Sequence, residues 1–150
     1  MLKEELLQDA LHYGKAFVHM GQTAQYIPEL KNVSKYYLGI CTIDMDGNVL
    51  EAGDTNIPFT IQSISKLVSL ILAIRDCGAD HLFHDKVGVE PTGDPFNSIV
   101  KLETKTRPFN PFINAGAITV ASCISGKDSD EKFGRFLDFI RKLCRNEEIS

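Results

Sequence analysis

The sequence has no tryptophan, no block of basic residues and no apolar run that reaches membrane length. Its longest apolar stretch, residues 67–74, contains Ser69 and is followed by Arg75, whereas a membrane-spanning helix needs about 20 apolar residues. Sixteen Lys and Arg residues oppose 20 Asp and Glu residues, and the two signs are mixed along the chain with a net charge of −4. We therefore expect neither a membrane nor a nucleic acid to be a partner of this chain.

Closely spaced cysteines are also missing. The four that are present, Cys41, Cys77, Cys123 and Cys144, stand far apart, and none of them adjoins a histidine in the sequence. Paired cysteines are typical of zinc sites and of disulfide-rich secreted domains. We therefore interpret each cysteine as a free thiol that packs as a small apolar side chain, and we expect a cytoplasmic protein.

What the sequence does contain is a globular composition, with 43% hydrophobic and 24% charged residues, and the periodicity of helices. Residues 1–20 and 131–146 each place apolar side chains at intervals of three and four, which predicts an amphipathic helix in each range. Residues 115–124 are mostly small and apolar and predict another helix.

Residues 36–53 predict a β-hairpin, because two stretches rich in β-branched and aromatic residues flank the turn signal Asp46-Gly47. Asp44 and Asp46 are also spaced like the first ligands of a calcium loop. The later acidic ligand and the flanking helices are absent, so we interpret this segment as a plain turn.

After the hairpin, residues 58–60 predict a short strand and residues 63–76 a buried helix. Residues 79–114 are rich in Gly, Pro, Asn and Asp, with a short apolar element near residues 98–102, and long structured loops of this kind often carry function. Within them, His81 and His84, followed by Asp85, could suggest zinc. Two histidines at positions i and i+3 without a third placed ligand are more simply a solvated helix end.

The most informative local feature is Ser63-Ile64-Ser65-Lys66, an SxxK arrangement at the start of the buried helix. Residues three apart on a helix share a face, so the Ser63 hydroxyl and the Lys66 amine can come within hydrogen-bond reach. An amine in apolar surroundings can accept the serine proton, because burial disfavours its charged form. The helix N-terminus adds amide donors for an oxyanion at Ser63.

The SxxK pattern alone has simpler explanations. Serines and lysines are common, so the pattern also arises by chance on exposed helices. Ser65 is equally suited to cap the helix, and Ser69 to bond back to the carbonyl four residues earlier.

Four ordered segments supply the context. The chain contains, in this order, GQTAQYIPEL, PFTIQSISK, GVEPTGDPFNS and RPFNPFINAGAI. Together they closely resemble the serine-dependent glutaminases, bacterial type, of the β-lactamase-like superfamily. The resemblance implies hydrolysis of L-glutamine to L-glutamate and ammonia through a Ser-Lys acyl-enzyme mechanism, with no metal or organic cofactor.

The same resemblance implies roles for five residues. Ser63 is the nucleophile, Lys66 the base, and Tyr26 a catalytic tyrosine of the pocket. Gln62 and Asn114 contact the substrate, together with Ser63. For Tyr26 the alternative is an aromatic ring packed under a loop, and for Asn114 a helix N-cap.

The resemblance covers roughly the N-terminal half of the family. It implies an α/β (α+β) fold of the β-lactamase/transpeptidase type, present in part: residues 1–150 form the N-terminal portion of a single domain. The hairpin and strand region is 36–60, the SxxK helix 63–76, and part of the helical subdomain 79–145. Full-length relatives imply a homo-oligomer.

Two other functions are considered. One is a penicillin-recognising serine hydrolase, which shares the SxxK helix. The other is a truncated, non-catalytic fragment. Because the remaining site residues of the family have no counterpart in the sequence, we expect the 150-residue chain alone to be inactive or nearly so and marginally stable.

Overall fold

The computed structural model describes residues 4–93 and 107–150. The chain divides into two compact units, Met1–Thr60 and Ile61–Ser150, and each is described by itself. Throughout the two described ranges, no helix is both long and apolar enough to cross a membrane.

The first unit combines two helices with an antiparallel hairpin. Its elements are α1 (Glu4–Lys15), a 3₁₀ turn (Val18–Met20), α2 (Pro28–Lys31), β1 (Gly39–Ile43) and β2 (Val49–Gly53). Leu7 and Leu11 of α1 are buried together with Ala52 of β2. Among the described residues the sheet has only these two strands, so apolar side chains such as Ile43 remain largely exposed.

The turn of the hairpin is organised by Asp44. Its Oδ1 accepts hydrogen bonds from the backbone N–H groups of Asp46 and Asn48, both at 2.9 Å, and its Oδ2 accepts one from the Asn48 side chain at 2.8 Å. The side-chain bond from Asn48 is the main cause that lowers the pKa of Asp44. The carboxylate that a calcium loop would use is therefore engaged by the turn itself, as the plain-turn interpretation predicts.

The second unit is helical. A 3₁₀ turn (Gln62–Ile64) leads into α3 (Ser65–Cys77), which is followed by α4 (Ala79–His81), a π-helical turn (Leu82–Lys86), α5 (Asn114–Ser122) and α6 (Ser129–Cys144). Its core joins α3, α5 and the turns after them through the buried side chains of Leu70, Leu72, Ala73, Leu82, Val87, Val120 and Ile124. This core fixes the position of α3 relative to α5.

Polar contacts then attach α6 to α3. Asp76, near the end of α3, accepts a 2.8 Å hydrogen bond from the backbone N–H of Ser125. It also forms an ion pair with Arg135 of α6, with 2.7 Å between the nitrogen and oxygen atoms. The N-cap of α6, Asp128, accepts from the N–H of Glu131 at 2.9 Å, and the Glu131 carboxylate accepts from the N–H of Lys127 at 3.0 Å. These two bonds satisfy N–H groups at and just before the start of α6, where no turn of helix precedes them.

Most predicted elements are present with shifted ends, and one is absent. The terminal helices, the hairpin and the two inner helices all form. The predicted strand at residues 58–60 was wrong: these residues adopt no regular structure, and Phe59 is 84% exposed. Pro58 has no N–H to donate to a sheet. The predicted element near residues 98–102 lies outside the described residues.

Candidate active site

Ser63 lies in a tight turn immediately before α3. Gln62 adopts the left-handed conformation with φ 43°, which is unfavourable for a residue with a side chain. The carbonyl of Gln62 accepts a 2.5 Å hydrogen bond from the Ser65 hydroxyl and another bond from the Ser65 N–H. Ser65 therefore holds the turn that presents the exposed Ser63 side chain.

Lys66 occupies the first turn of α3, and its amine reaches across to the start of α5. Its Nζ donates to the backbone carbonyl of Phe112 at 2.8 Å and to Oδ1 of Asn114 at 2.7 Å. The structure thus brings together two residues that are 48 positions apart and that the sequence had indicated separately. The lysine side chain is half-buried, and two oxygen atoms accept hydrogen bonds from its amine.

The segment before α5 is shaped by Asn110, which the sequence reasoning did not select. Its Oδ1 accepts from the N–H groups of Phe112 at 3.0 Å and Ile113 at 3.2 Å, and its Nδ2 donates to the Glu90 carbonyl at 3.0 Å. An asparagine side chain that bonds to the backbone two residues ahead is a common turn device, and Asn-Pro-Phe in the sequence was the signal for it.

Gly116 completes this arrangement. A Cβ atom at Gly116 would collide with the carbonyl oxygen of Asn110, so only glycine permits the loop to lie this close to α5. The close approach holds the Phe112 carbonyl and the Asn114 side chain at the same end of the helix.

Two of the simpler explanations do not match the observed contacts. Asn114 is the first residue of α5 and not its N-cap; the N-cap is Ile113, and the Asn114 oxygen bonds to Lys66. Ser65 does not cap α3 by accepting an N–H, since its hydroxyl donates to a carbonyl.

Tyr26 belongs to the first unit, in a bend before α2, and its side chain is 79% exposed. A ring packed under a loop would be buried, so this alternative does not fit. Gln62 has an exposed side chain as well. The catalytic role of Tyr26 and the substrate contact of Gln62 stay predictions.

The histidine segment forms a local hydrogen bond between His81 and Asp85. His81 Nδ1 lies 2.8 Å from Asp85 Oδ2, with both side chains about half exposed or more. In the part of the chain that the structure describes, no group of three or more His, Cys, Asp or Glu side chains is placed to hold a metal ion.

The chain combines a small antiparallel sheet in its first unit with helices in both units, and it matches solved structures of the β-lactamase-like class. The family model described as Glutaminase matches residues 21–150. The chain therefore belongs to the glutaminase family, which confirms the resemblance and the fold class predicted from the sequence.

Curated relatives give the same result. The chain is 51% identical over 148 residues to a glutaminase of Fusobacterium nucleatum and 50% identical over 147 residues to one of Alkaliphilus metalliredigens. Each match covers 97% of this chain and 48% of the relative. The chain thus spans about half the length of the curated relatives it matches.

Solved structures agree in fold. A probable glutaminase from Bacillus subtilis, complexed with 6-diazo-5-oxo-L-norleucine, superposes with a TM-score of 0.80 at 38% identity, over 95% of this chain and 42% of that one. A probable glutaminase named ybaS gives a TM-score of 0.79, also at 38% identity, over 95% of this chain and 47% of the other.

Proposed function

We propose that residues 1–150 supply the nucleophile and the general base of a glutaminase that hydrolyses L-glutamine to L-glutamate and ammonia. The observation that carries the proposal is the position of the Lys66 amine, held between the Phe112 carbonyl and Asn114 Oδ1 one turn after Ser63. A serine is a weak nucleophile unless an adjacent base accepts its proton, and in this family Lys66 is placed to be that base for Ser63.

In the proposed reaction, Ser63 Oγ attacks the side-chain amide carbon of glutamine while Lys66 accepts the hydroxyl proton. The tetrahedral intermediate collapses, and Lys66 returns the proton to the departing ammonia, which leaves a glutamyl ester on Ser63. Water then attacks the ester and gives one proton to Lys66. The proton passes to Ser63 Oγ as glutamate is released, so the serine and lysine are regenerated.

The contacts of Lys66 suit this role. The oxygen atoms of Phe112 and Asn114, at 2.8 and 2.7 Å, accept hydrogen bonds from the amine and orient it at the start of α5. In the proposed reaction, the lone pair of the amine accepts the proton of Ser63.

Asn114 can serve the base and the substrate together. Its Oδ1 is occupied by Lys66, which leaves the amide Nδ2 as a donor for an acceptor on the substrate. A carboxylate at the amino acid end of glutamine is such an acceptor. This division accommodates both the role implied by the resemblance and the contact to Lys66.

The remaining assignments extend the same proposal. The substrate is a small molecule, with neither nucleic acid nor membrane as partner, and the protein acts in the cytoplasm. The homo-oligomer implied by the family stays a prediction, which sedimentation of the assembled enzyme would test.

The test is a fusion protein in which residues 1–150 are joined to the part of the Fusobacterium nucleatum glutaminase that they do not cover. We expect the fusion to release ammonia from glutamine. Ser63→Ala and Lys66→Met should each lower kcat by about a thousandfold or more, because nucleophile and base act as a unit.

The matched control is Ser69→Ala, a serine on the same helix, which should keep most of the activity. A fusion that loses as much activity with Ser69→Ala as with Ser63→Ala would contradict the proposal, as would full activity in the Ser63→Ala variant.

A further inference from the structure

One peptide group in the loop before α5 contacts both Asn110 and Lys66. In the peptide that joins Phe112 to Ile113, the carbonyl oxygen accepts a 2.8 Å hydrogen bond from Lys66 Nζ. The N–H of the same peptide donates to Asn110 Oδ1 at 3.2 Å. Because a peptide group is planar, its N–H and its carbonyl turn together. The bond to Asn110 therefore fixes the direction in which this carbonyl faces the amine of Lys66.

A second bond to the same oxygen atom strengthens this hold on the loop. Asn110 Oδ1 also accepts from the N–H of Phe112 at 3.0 Å, so both peptide groups that flank Phe112 are attached to it. The ring of Phe112 is 52% exposed and anchors the backbone less than a buried ring would. Pro111 is buried but has no N–H to donate. The orientation of the peptide between Phe112 and Ile113 thus depends largely on Asn110 Oδ1.

The rest of Asn110 is itself held in place. Its Nδ2 donates to the Glu90 carbonyl at 3.0 Å, and the Glu90 N–H donates to the Phe109 carbonyl at 3.0 Å. The Asn110 carbonyl lies against Gly116, where a Cβ atom would collide with it. The two ends of the amide therefore have separate tasks: Nδ2 fixes Asn110 to the segment at Glu90, and Oδ1 fixes the loop that leads into α5.

We propose that Asn110 is a positioning residue for the general base. Its Oδ1 orients the Phe112 carbonyl, and this carbonyl holds the Lys66 amine for the proton transfer from Ser63. The inference rests on the proposed function and gives Asn110 no contact with the substrate. Asn110 acts on the rate of the chemical step and not on the binding of glutamine, because the position of the base matters when the serine proton moves.

Two substitutions in the fusion enzyme separate the two tasks of the amide. Asn110→Asp keeps an oxygen that can accept from both N–H groups but loses the donor to the Glu90 carbonyl, whereas Asn110→Ala loses both. We expect Asn110→Ala to lower kcat at its optimum pH by at least about tenfold with little change in KM, and Asn110→Asp to keep at least about a third of kcat. Urea unfolding should show that both variants are less stable, because both lose the bond to Glu90.

Asn146 supplies the matched control. It follows α6, and its Oδ1 accepts from the N–H of Glu148 at 2.9 Å, the same kind of bond that Asn110 makes to Phe112. Asn146→Ala removes this bond from a different segment and should leave kcat within about twofold of the original. A loss of kcat in Asn110→Asp as large as that in Asn110→Ala would overturn the proposal, as would an equal loss in Asn146→Ala.

The reactivity of Lys66 tests the positioning without catalysis. Trace acetylation of the fusion protein with acetic anhydride, followed by peptide mass spectrometry, measures the rate at Lys66 relative to the exposed Lys15 of α1. A restrained amine must break its hydrogen bond before it attacks the reagent, so Asn110→Ala should raise this relative rate about fivefold. Asn110→Asp should not raise it.

These rates also separate the inference from the proposed function. An unchanged rate at Lys66 in Asn110→Ala would overturn the positioning role even if the fusion were an active glutaminase. A fusion that shows the expected rates but releases no ammonia from glutamine would support the hold on Lys66 and contradict the proposed function.

Discussion

At the scale of single residues, the candidate site depends on a few polar contacts around Lys66. Ser63, Lys66 and Asn114 were all named from the sequence, because the SxxK pattern and the family motifs contain them. Asn110 and Gly116 were missed. Asn110 bonds to the backbone just ahead of it, and Asn-Pro-Phe in the sequence was a signal for that turn. The close approach of the backbone at Gly116 is visible only once the chain is folded.

Asn114→Asp tests whether this residue positions the base. A carboxylate next to the Lys66 amine favours the protonated form, so a higher pH is needed to obtain the neutral base. We expect the rising limb of kcat against pH in the fusion enzyme to move to higher pH. A purely structural role for Asn114 would lower kcat by the same factor at every pH, and that result would contradict the assignment.

Ser65→Ala tests how the turn before α3 is held. The variant removes the 2.5 Å bond to the Gln62 carbonyl, a contact worth about 1 kcal/mol, which corresponds to about a fivefold effect on an equilibrium. We expect kcat to fall by about that factor while KM changes little, and Ser65→Thr to restore it. If Ser65→Ala raised KM and left kcat unchanged, Ser65 would instead affect substrate binding.

At the scale of the elements, periodicity predicted α1 and α6, because each of these helices has an apolar face that packs in a core. Helix α5 was predicted instead from its small, apolar composition. The ends were less predictable: α3 begins at Ser65 and not at Ser63, since Gln62 adopts a positive φ and a 3₁₀ turn precedes the helix. The strand at residues 58–60 failed because β propensity does not supply a neighbouring strand.

The attachment of α6 to α3 through Asp76 predicts a dependence on pH. Burial raises the pKa of Asp76, but the bonds from the Ser125 N–H and Arg135 outweigh it and hold the pKa below its ordinary value of 3.8. A carboxyl whose folded pKa is lowered stabilises the protein above its unfolded pKa. That contribution is lost as the pH falls through the folded value.

Asp76→Asn should therefore lower the free energy of unfolding at neutral pH by about 2 kcal/mol, because two hydrogen bonds lose their charged acceptor. Urea unfolding at pH 7 and near pH 3 measures the free energy of unfolding of both chains. The difference in this free energy between the variant and the original chain should shrink at the lower pH. Asp138→Asn is the control, since Asp138 is a largely exposed partner in an ion pair within α6. An equal effect of both variants would contradict this account.

At the scale of the whole molecule, the family could be recognised from four ordered motifs, and the comparisons confirm it. Periodicity alone would have given a helical protein with one hairpin, because a two-stranded sheet among the described residues carries little information about its class. The chain spans 48% of the length of its curated relatives, so the complete catalytic pocket is a proposal that the fusion enzyme tests.

The central claim is that Ser63 is the nucleophile, and a covalent label tests it most directly. A Bacillus subtilis glutaminase that matches 93% of this chain forms a covalent complex by reaction with 6-diazo-5-oxo-L-norleucine. The measurement is mass-spectrometric mapping of the adduct formed with this reagent, on the fusion enzyme and on its Ser63→Ala variant. The account predicts one adduct on Ser63 that disappears in the variant; an adduct on another residue that persists in Ser63→Ala would contradict it.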